Sequence, residues 1–314
     1  MCGPPHADKE PMTSRQDTSR WRRLIPFGIG LALLTASAGS AIAGGSETKV
    51  FGTSRGSEDW ASAGTGFTAL NQRKAGTFES TVLLVPDGGR AAQVNIDGTN
   101  ADYPIIEMGN AHLGNVLLFS QWRGRRQGDI KIYDLVSGTF VEAPSGVNTS
   151  AWENRPSVSG DHLLFGRGPA NKPSTRAVLY DLASGTSEVI AKADYVWVGP
   201  VNGDWIVYQE CDRSCPIYRY QISTEQRTTV PVPRKWNYFP IIDDDGTVYF
   251  GASGWDCGLN VRLMSHVPGA PSSTVVQRFP DGIDIFPSDV VDHEIYFGRY
   301  NCRQEQGDIY RLTP

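Results

Sequence analysis

The chain has 314 residues, 39% hydrophobic and 20% charged, with 34 Gly and 20 Pro. That is apolar material for one large core or two smaller ones, and it excludes disorder or a collagen-like repeat for most of the length. The net charge is −5, and beyond residue 43 there are 24 Lys and Arg against 31 Asp and Glu, which argues against a nucleic-acid groove.

Taken in chain order, residues 1–43 come first. Arg20-Trp21-Arg22-Arg23, an apolar stretch from Leu24 to Leu34 and the small-x-small site Ala41-Ile42-Ala43 read as a secretory signal peptide cleaved after Ala43. Met12 is available as the true start. An uncleaved anchor competes, because Leu24 to Ala43 approaches the roughly 20 residues that cross a bilayer, but Gly and Ser dilute the stretch. The expectation is an exported protein, in the extracellular or cell-envelope space and without membrane association after cleavage. With Cys2 lost, Cys211, Cys215, Cys257 and Cys302 remain; an even number in an exported chain favours two disulfides over thiols on zinc, whose compact spacing is missing.

From residue 44 to 314 the pattern is nearly all β, with short β-branched and aromatic runs bounded by Gly, Asp and Asn. One strand recurs as Val116-Leu117-Leu118-Phe119, Leu163-Leu164-Phe165, Ile206-Val207-Tyr208, Val248-Tyr249-Phe250 and Ile295-Tyr296-Phe297, at intervals in the forties. A tight polar turn precedes each copy, as at Gly160-Asp161 and Gly203-Asp204. Before the turn lies a strand that opens with Pro156, Pro200, Pro240 or Pro287, with Asn110 at the equivalent place in the earliest clear unit. A third strand (Ile130 to Leu135, Ala177 to Leu182, Pro216 to Tyr220) and a fourth complete a unit of four antiparallel strands, which describes a propeller blade. Residues 48–98 form a divergent further blade, making six. The last unit ends after its third strand, and residues around Thr48 to Thr53 could supply its outer strand and close the ring. A pair of β-sandwich domains is the alternative, but it does not explain the unit-to-unit correspondence.

Pro156-Ser157-Val158-Ser159-Gly160-Asp161 followed by Leu179-Tyr180-Asp181-Leu182-Ala183-Ser184-Gly185, and Ile132-Tyr133-Asp134-Leu135-Val136-Ser137-Gly138, resemble the TolB-type propellers, relatives of the WD repeats. The resemblance covers roughly residues 100–314 and implies a β-propeller.

Strand order puts short turns on one side of such a ring and longer loops on the other, where binding is expected. Among the short turns, Asp243-Asp244-Asp245 is read as a solvated hairpin rather than a calcium site, which wants six or more oxygens. On the long-loop side, Cys257 and Cys302 fall in the same loop of neighbouring blades, so a bond between them would staple the fifth unit to the sixth; Cys211 and Cys215 would pinch one loop. Counting back from the strand-opening Pro gives an apolar packing column, Ile106, Trp152, Val196, Trp236 and Ile283. Beside it runs a second column: Glu107, Glu153, Trp197, Asn237 and Asp284. Its carboxylates could hydrate a rim, bind a ligand or cation, or catalyse glycoside cleavage. Trp122, Arg123, Arg125, Arg126 and Trp255 add guanidinium and indole groups suited to anionic sugars or acidic protein surfaces. No G-x-S-x-G, H-E-x-x-H or G-x-x-x-x-G-K motif occurs, and His112, His162, His266 and His293 fall at different points of the repeat.

The sequence therefore describes an exported, monomeric six-bladed propeller that binds a protein or polysaccharide without turnover, cofactor or metal. Its ligand-binding candidates are Glu107, Glu153, Trp197, Asp284, Trp122 and Arg123. The alternative is an extracellular glycoside hydrolase or polysaccharide lyase using Glu107, Glu153 or Asp284.

Overall fold

The computed structural model describes residues 45–314 apart from 54–55, 75–76, 78, 96–98, 123–127, 171, 213, 234–235 and 255. The leader, Arg123, Arg125, Arg126 and Trp255 lie outside the described residues. Among those described, every regular element is a strand.

Strand β1 (Ser46–Phe51) stands apart in sequence from the sheet it joins. The first blade is β2 (Gly56–Gly64), β3 (Phe67–Lys74), β4 (Ser80–Pro86) and β5 (Ala92–Gln93). The second is β6 (Asn100–Asn110), β7 (Gly114–Trp122), β8 (Gly128–Asp134) and β9 (Thr139–Val141). The third is β10 (Trp152–Ser159), β11 (His162–Gly168), β12 (Arg176–Asp181) and β13 (Thr186–Lys192). The fourth is β14 (Tyr195–Asn202), β15 (Trp205–Cys211), β16 (Ile217–Gln221) and β17 (Gln226–Thr229). The fifth is β18 (Trp236–Ile242), β19 (Val248–Ser253), β20 (Arg262–His266) and β21 (Thr274–Arg278). The sixth holds β22 (Ile283–Val291), β23 (Glu294–Asn301) and β24 (Gln306–Thr313), with β1 as its outer strand. Each blade is an antiparallel four-stranded sheet, and β1 pairs with β24 from Ser46↔Thr313 to Phe51↔Ile309. The six-bladed ring and its closure by the two ends of the chain are as the repeat predicts.

The second strand of each blade carries the core. Phe119, Phe165, Tyr208, Phe250 and Phe297 are fully buried, with Leu70 in β3 of the first blade. Consecutive blades share these apolar faces: β7, β8, β10, β11 and β12 meet around Leu118, Ile132 and Phe165. At the closure the approach is tight, since a Cβ on Gly298 would sit 2.3 Å from the Asp59 carbonyl oxygen of the first blade.

The inner strands depart from expectation in one respect. Pro156, Pro200 and Pro240 do not open them; each sits mid-strand where the register shifts, the irregular position that tolerates a residue with no N–H to donate. All six inner strands carry such a shift, and in the second blade it falls between Asp102 and Ile105, at Tyr103-Pro104. Pro104, not Asn110, is therefore the equivalent of Pro156. Asn110 lies at the far end of β6, where its side-chain Nδ2 donates to the Gly160 carbonyl of the next blade at 2.8 Å.

Turns on the short-hairpin side link the blades in the same way. His112 Nε2 lies 2.8 Å from Asp161 Oδ1, the Gly203 amide donates to Ser159 Oγ at 3.0 Å, and His293 Nδ1 lies 2.9 Å from Asp243 Oδ2. His293, Asp243 and Asp244 bring three potential ligand atoms within 4.8 Å. The remaining Asp243 oxygen accepts the Asp244 amide, and the Asp245 carboxylate is taken by Thr247, so the cluster is an ion pair between the fifth and sixth blades. The hydrogen bond to Asp243, then the charges of Asp243 and Asp244, raise the His293 pKa above 6.5. The protonated imidazole thus favours the folded state. This contribution is complete below the unfolded-state value near 6.5 and disappears as pH rises through the higher folded value. An imidazole titration followed by NMR is expected to show a midpoint above 6.5 for His293, reverting toward 6.5 in Asp243→Asn; an unchanged midpoint in that variant would refute the pair.

Candidate functional site

A register shift turns the side chain of an inner strand toward the channel. Tyr103, Arg155 and Phe239 sit at the shifted positions of three blades with φ of 57°, 50° and 52°, a conformation that non-glycine residues adopt at a cost of roughly 1–3 kcal/mol. Trp60 and Phe286 occupy the matching places in the first and sixth blades. Gly199 does so in the fourth, where it offers no side chain and Trp197, two residues earlier, fills the space.

These residues meet on the axis. Trp60 contacts rings from four blades: Tyr103 (centroids 5.2 Å apart), Trp197 (5.7 Å), Phe239 (4.9 Å) and Phe286 (6.0 Å). Trp197 and Phe239 approach to 4.6 Å. Contact between the first blade and the fourth, which face each other across a six-membered ring, places the cluster at the centre. It forms an aromatic iris closing the channel, with each ring left partly accessible.

Arg155 is the charged member. Its guanidinium carbon lies 3.1 Å from the Trp197 ring centroid and 4.6 Å from that of Tyr103. Nη1 donates to Tyr195 Oη at 3.2 Å and Nη2 to Tyr103 Oη at 3.0 Å, while Nε is buried without a partner. Tyr195 is the first residue of β14, so the guanidinium reaches toward the long-loop side. Burial, partly opposed by Arg155, pushes the Tyr103 hydroxyl up to about 12, so Tyr103 accepts as a neutral group at ordinary pH. A cavity of about 40 Å³ adjoins the iris, lined by Trp60, Tyr103, Arg155, Trp197 and five proline rings. It has room for a few waters or one small acid group, not a sugar ring.

Beside the iris lie two buried acids, Asp59 and Asp102. Asp59 Oδ2 is 2.7 Å from Arg73 Nη2 and its Oδ1 accepts from Ser57 Oγ at 2.8 Å. Burial pushes the Asp102 carboxyl up to about 6, with Arg73 and Arg155 lowering it and Asp59 raising it.

The column of carboxylates is not gathered as the sequence suggests. With Pro104 in register, the position of Glu153 is taken by Glu58 in the first blade and Ala101 in the second. Glu107 falls beyond the register shift, toward the short-hairpin end, where burial pushes it up to about 7 against hydrogen bonds from Gly160 and Asn110. Asp289, also raised to about 7 by burial, lies nearby and accepts from Ser62 Oγ at 2.5 Å; Ser62 Oγ in turn accepts the Ile106 amide at 2.9 Å, tying blades six, one and two. Ile106 likewise leaves the apolar column, whose place in the second blade belongs to Asn100.

Glu153 is fully buried and accepts from Thr149 Oγ1 at 2.6 Å and Arg167 Nε at 2.9 Å. Glu58 repeats the arrangement with Thr53 Oγ1 at 2.9 Å and Gln72 Nε2 at 2.7 Å. Both anchor the loop that enters an inner strand. Asp284 accepts from Tyr238 Oη at 2.7 Å across the boundary between the fifth and sixth blades, and burial raises its pKa. Trp122 packs its ring 6.1 Å from Trp152 of the third blade. Of the sequence candidates with described positions, Trp197 belongs to the iris.

Sequence reasoning missed Trp60, Tyr103, Arg155, Phe239 and Phe286. Their signal was the residue immediately before the inner-strand Pro, which reads Tyr, Arg, Gly, Phe and Phe from the second blade to the sixth.

No protein-family model matches the chain, and no curated protein does. Solved structures similar to it include a gluconolactonase from Xanthomonas campestris, at 13% identity and TM-score 0.51, with 85% of this chain matched to 88% of that one. An oligogalacturonate lyase in complex with manganese matches at 10% identity and TM-score 0.50, over 86% and 98%. TolB from Acinetobacter baumannii matches at 14% identity and TM-score 0.47, covering 74% of this chain and 59% of that protein. What the chain shares with the gluconolactonase and the lyase is the β-propeller fold.

Proposed function

We propose that this is an exported binding propeller that docks a protein or polysaccharide at the long-loop mouth of its channel, without turnover. The carrying observation is the iris: five aromatic rings and one guanidinium from six separate blades, partly accessible on the axis. Aromatic and Arg side chains held rigidly are the groups that carry binding energy at recognition surfaces. Glu153 is spent on Arg167 and Thr149, which supports binding over carboxylate catalysis. Two disulfides support an oxidising compartment and hence export.

The test is an immobilised-glycan and extracellular-protein panel probed with the parent and with Trp197→Ala. Truncating a central Trp costs about 2 kcal/mol or more, so binding is expected to fall at least about tenfold. Val136→Ala, at an exposed position in the turn between β8 and β9 on the short-turn side, is expected to bind as the parent does. A parent that binds nothing on the panel, or a Trp197 variant that binds equally well, would sink the proposal.

A further inference from the structure

We infer that Arg155 makes the channel mouth a carboxylate receptor, so that the ligand is an acidic saccharide whose carboxylate pairs with the guanidinium while its sugar ring rests on the iris. The inference rests on the binding reading above and adds the ligand's chemistry.

Arg155 is a cation in an aromatic enclosure; among the described residues no carboxylate lies within ion-pair distance of it, Asp102 acting on it only from further off, and its hydrogen-bond acceptors are two tyrosine hydroxyls. A charge withdrawn from water is costly unless paired. Elsewhere in the ring Arg73, Arg167, Arg227, Arg299 and Arg311 each hold a carboxylate at 3.1 Å or closer, while Arg219, in the third strand of its blade and off the axis, donates to the Gly246 carbonyl and faces Trp205. The Nε of Arg155 is enclosed, but a planar guanidinium carries five N–H donors, the two tyrosines take two of them, and Arg155 keeps part of its surface accessible. Trp197 and Tyr103 hold its plane in position before a ligand arrives. The small cavity is lined by the five prolines that follow the iris positions and so lies on the short-hairpin side of the rings, whereas the ligand meets Arg155 and the partly accessible residues of the iris from the long-loop face. A peptide carboxylate could meet the same cation, but a surface of five aromatic rings favours the C–H faces of a sugar.

Calorimetric titration of the full chain with a glucuronate-terminated oligosaccharide, its methyl ester and the glucose-terminated counterpart tests this. A hexapeptide with a free C-terminal carboxylate, and its amide, form the second arm. The acid sugar is expected to bind at least tenfold more tightly than ester or neutral sugar, with the ratio shrinking as salt rises. Arg155→Gln is expected to erase the ratio and keep weak neutral-sugar binding, and Arg155→Lys to retain part of it. Equal binding of acid and ester would overturn the inference while leaving the binding reading intact. Binding of no probe would remove both. Preference for the peptide acid would overturn the saccharide assignment. The acid, ester and salt comparisons use the parent alone, so they decide the matter even if the Arg155 variants do not fold.

Discussion

Replacing Cys257 and Cys302 together by Ser is expected to lower the unfolding free energy by about 4 kcal/mol, whereas the same change at Cys211 and Cys215 costs about 2 kcal/mol. The difference follows from the length of chain that each bond closes. Cys257–Cys302 spans a separation of 45 residues and Cys211–Cys215 a separation of 4, and the loop entropy removed from the unfolded chain grows with the logarithm of that length. The long bond also lies where the ring is weakest. It joins the loop after β19 to the loop after β23, so it ties the fifth blade to the sixth, whose outer strand β1 comes from the opposite end of the described chain. Opening the ring at that blade would free β1 and expose Leu312 and Ile309, both fully buried. Denaturant midpoints of the two double variants, compared with the parent under non-reducing conditions, measure this. Equal losses from the two pairs would contradict the argument, as would a larger loss from the short one.

Much of this architecture is legible because a blade repeats a physical solution. Phe119, Phe165, Tyr208, Phe250 and Phe297 must all reach zero exposure between neighbouring sheets, and that demand prints the same apolar strand five times. The cysteine pairing is readable for the same reason: once the blades are in register, Cys257 and Cys302 occupy one loop position in adjacent units. The channel is harder to read. Where a side chain lines an axis shared by six blades, the constraint acts on the set and not on each unit, so Trp60, Tyr103, Arg155, Phe239 and Phe286 span four residue types. The register in the second blade was lost because Asn110 and Pro104 both suit the edges of inner strands, and choosing Asn110 carried Glu107 six residues out of its place. The first blade hides its match differently: Ala61 stands where the others have Pro, so neither Trp60 nor Glu58 was found.

Glu153→Ala is expected to destabilise the fold by about 3 kcal/mol, the low end for removing one partner of a buried pair. The low end applies because the Arg167 side chain keeps 20% of its exposure, while that of Glu153 has none. Loss of the carboxylate strands the guanidinium beside two carbonyls, Gly146 at 2.7 Å and Val147 at 3.0 Å, and removes the hydrogen bond from Thr149 Oγ1. Glu153→Gln keeps an acceptor oxygen but not the charge, and is expected to cost about 1–2 kcal/mol. Glu58 supplies the internal control. It sits at the same blade position with the same threonine contact, but its cross-strand partner is the neutral Gln72, and burial raises its pKa against the hydrogen bonds that lower it. An amide there loses no ion pair, so Glu58→Gln is expected to cost less than about 1 kcal/mol. Chemical denaturation of the three variants separates an anchoring role from a catalytic one. A Glu153→Ala protein within about 0.5 kcal/mol of the parent would show that the buried pair does not hold the loop, and the carboxylate would then return as a candidate for chemistry at the channel mouth.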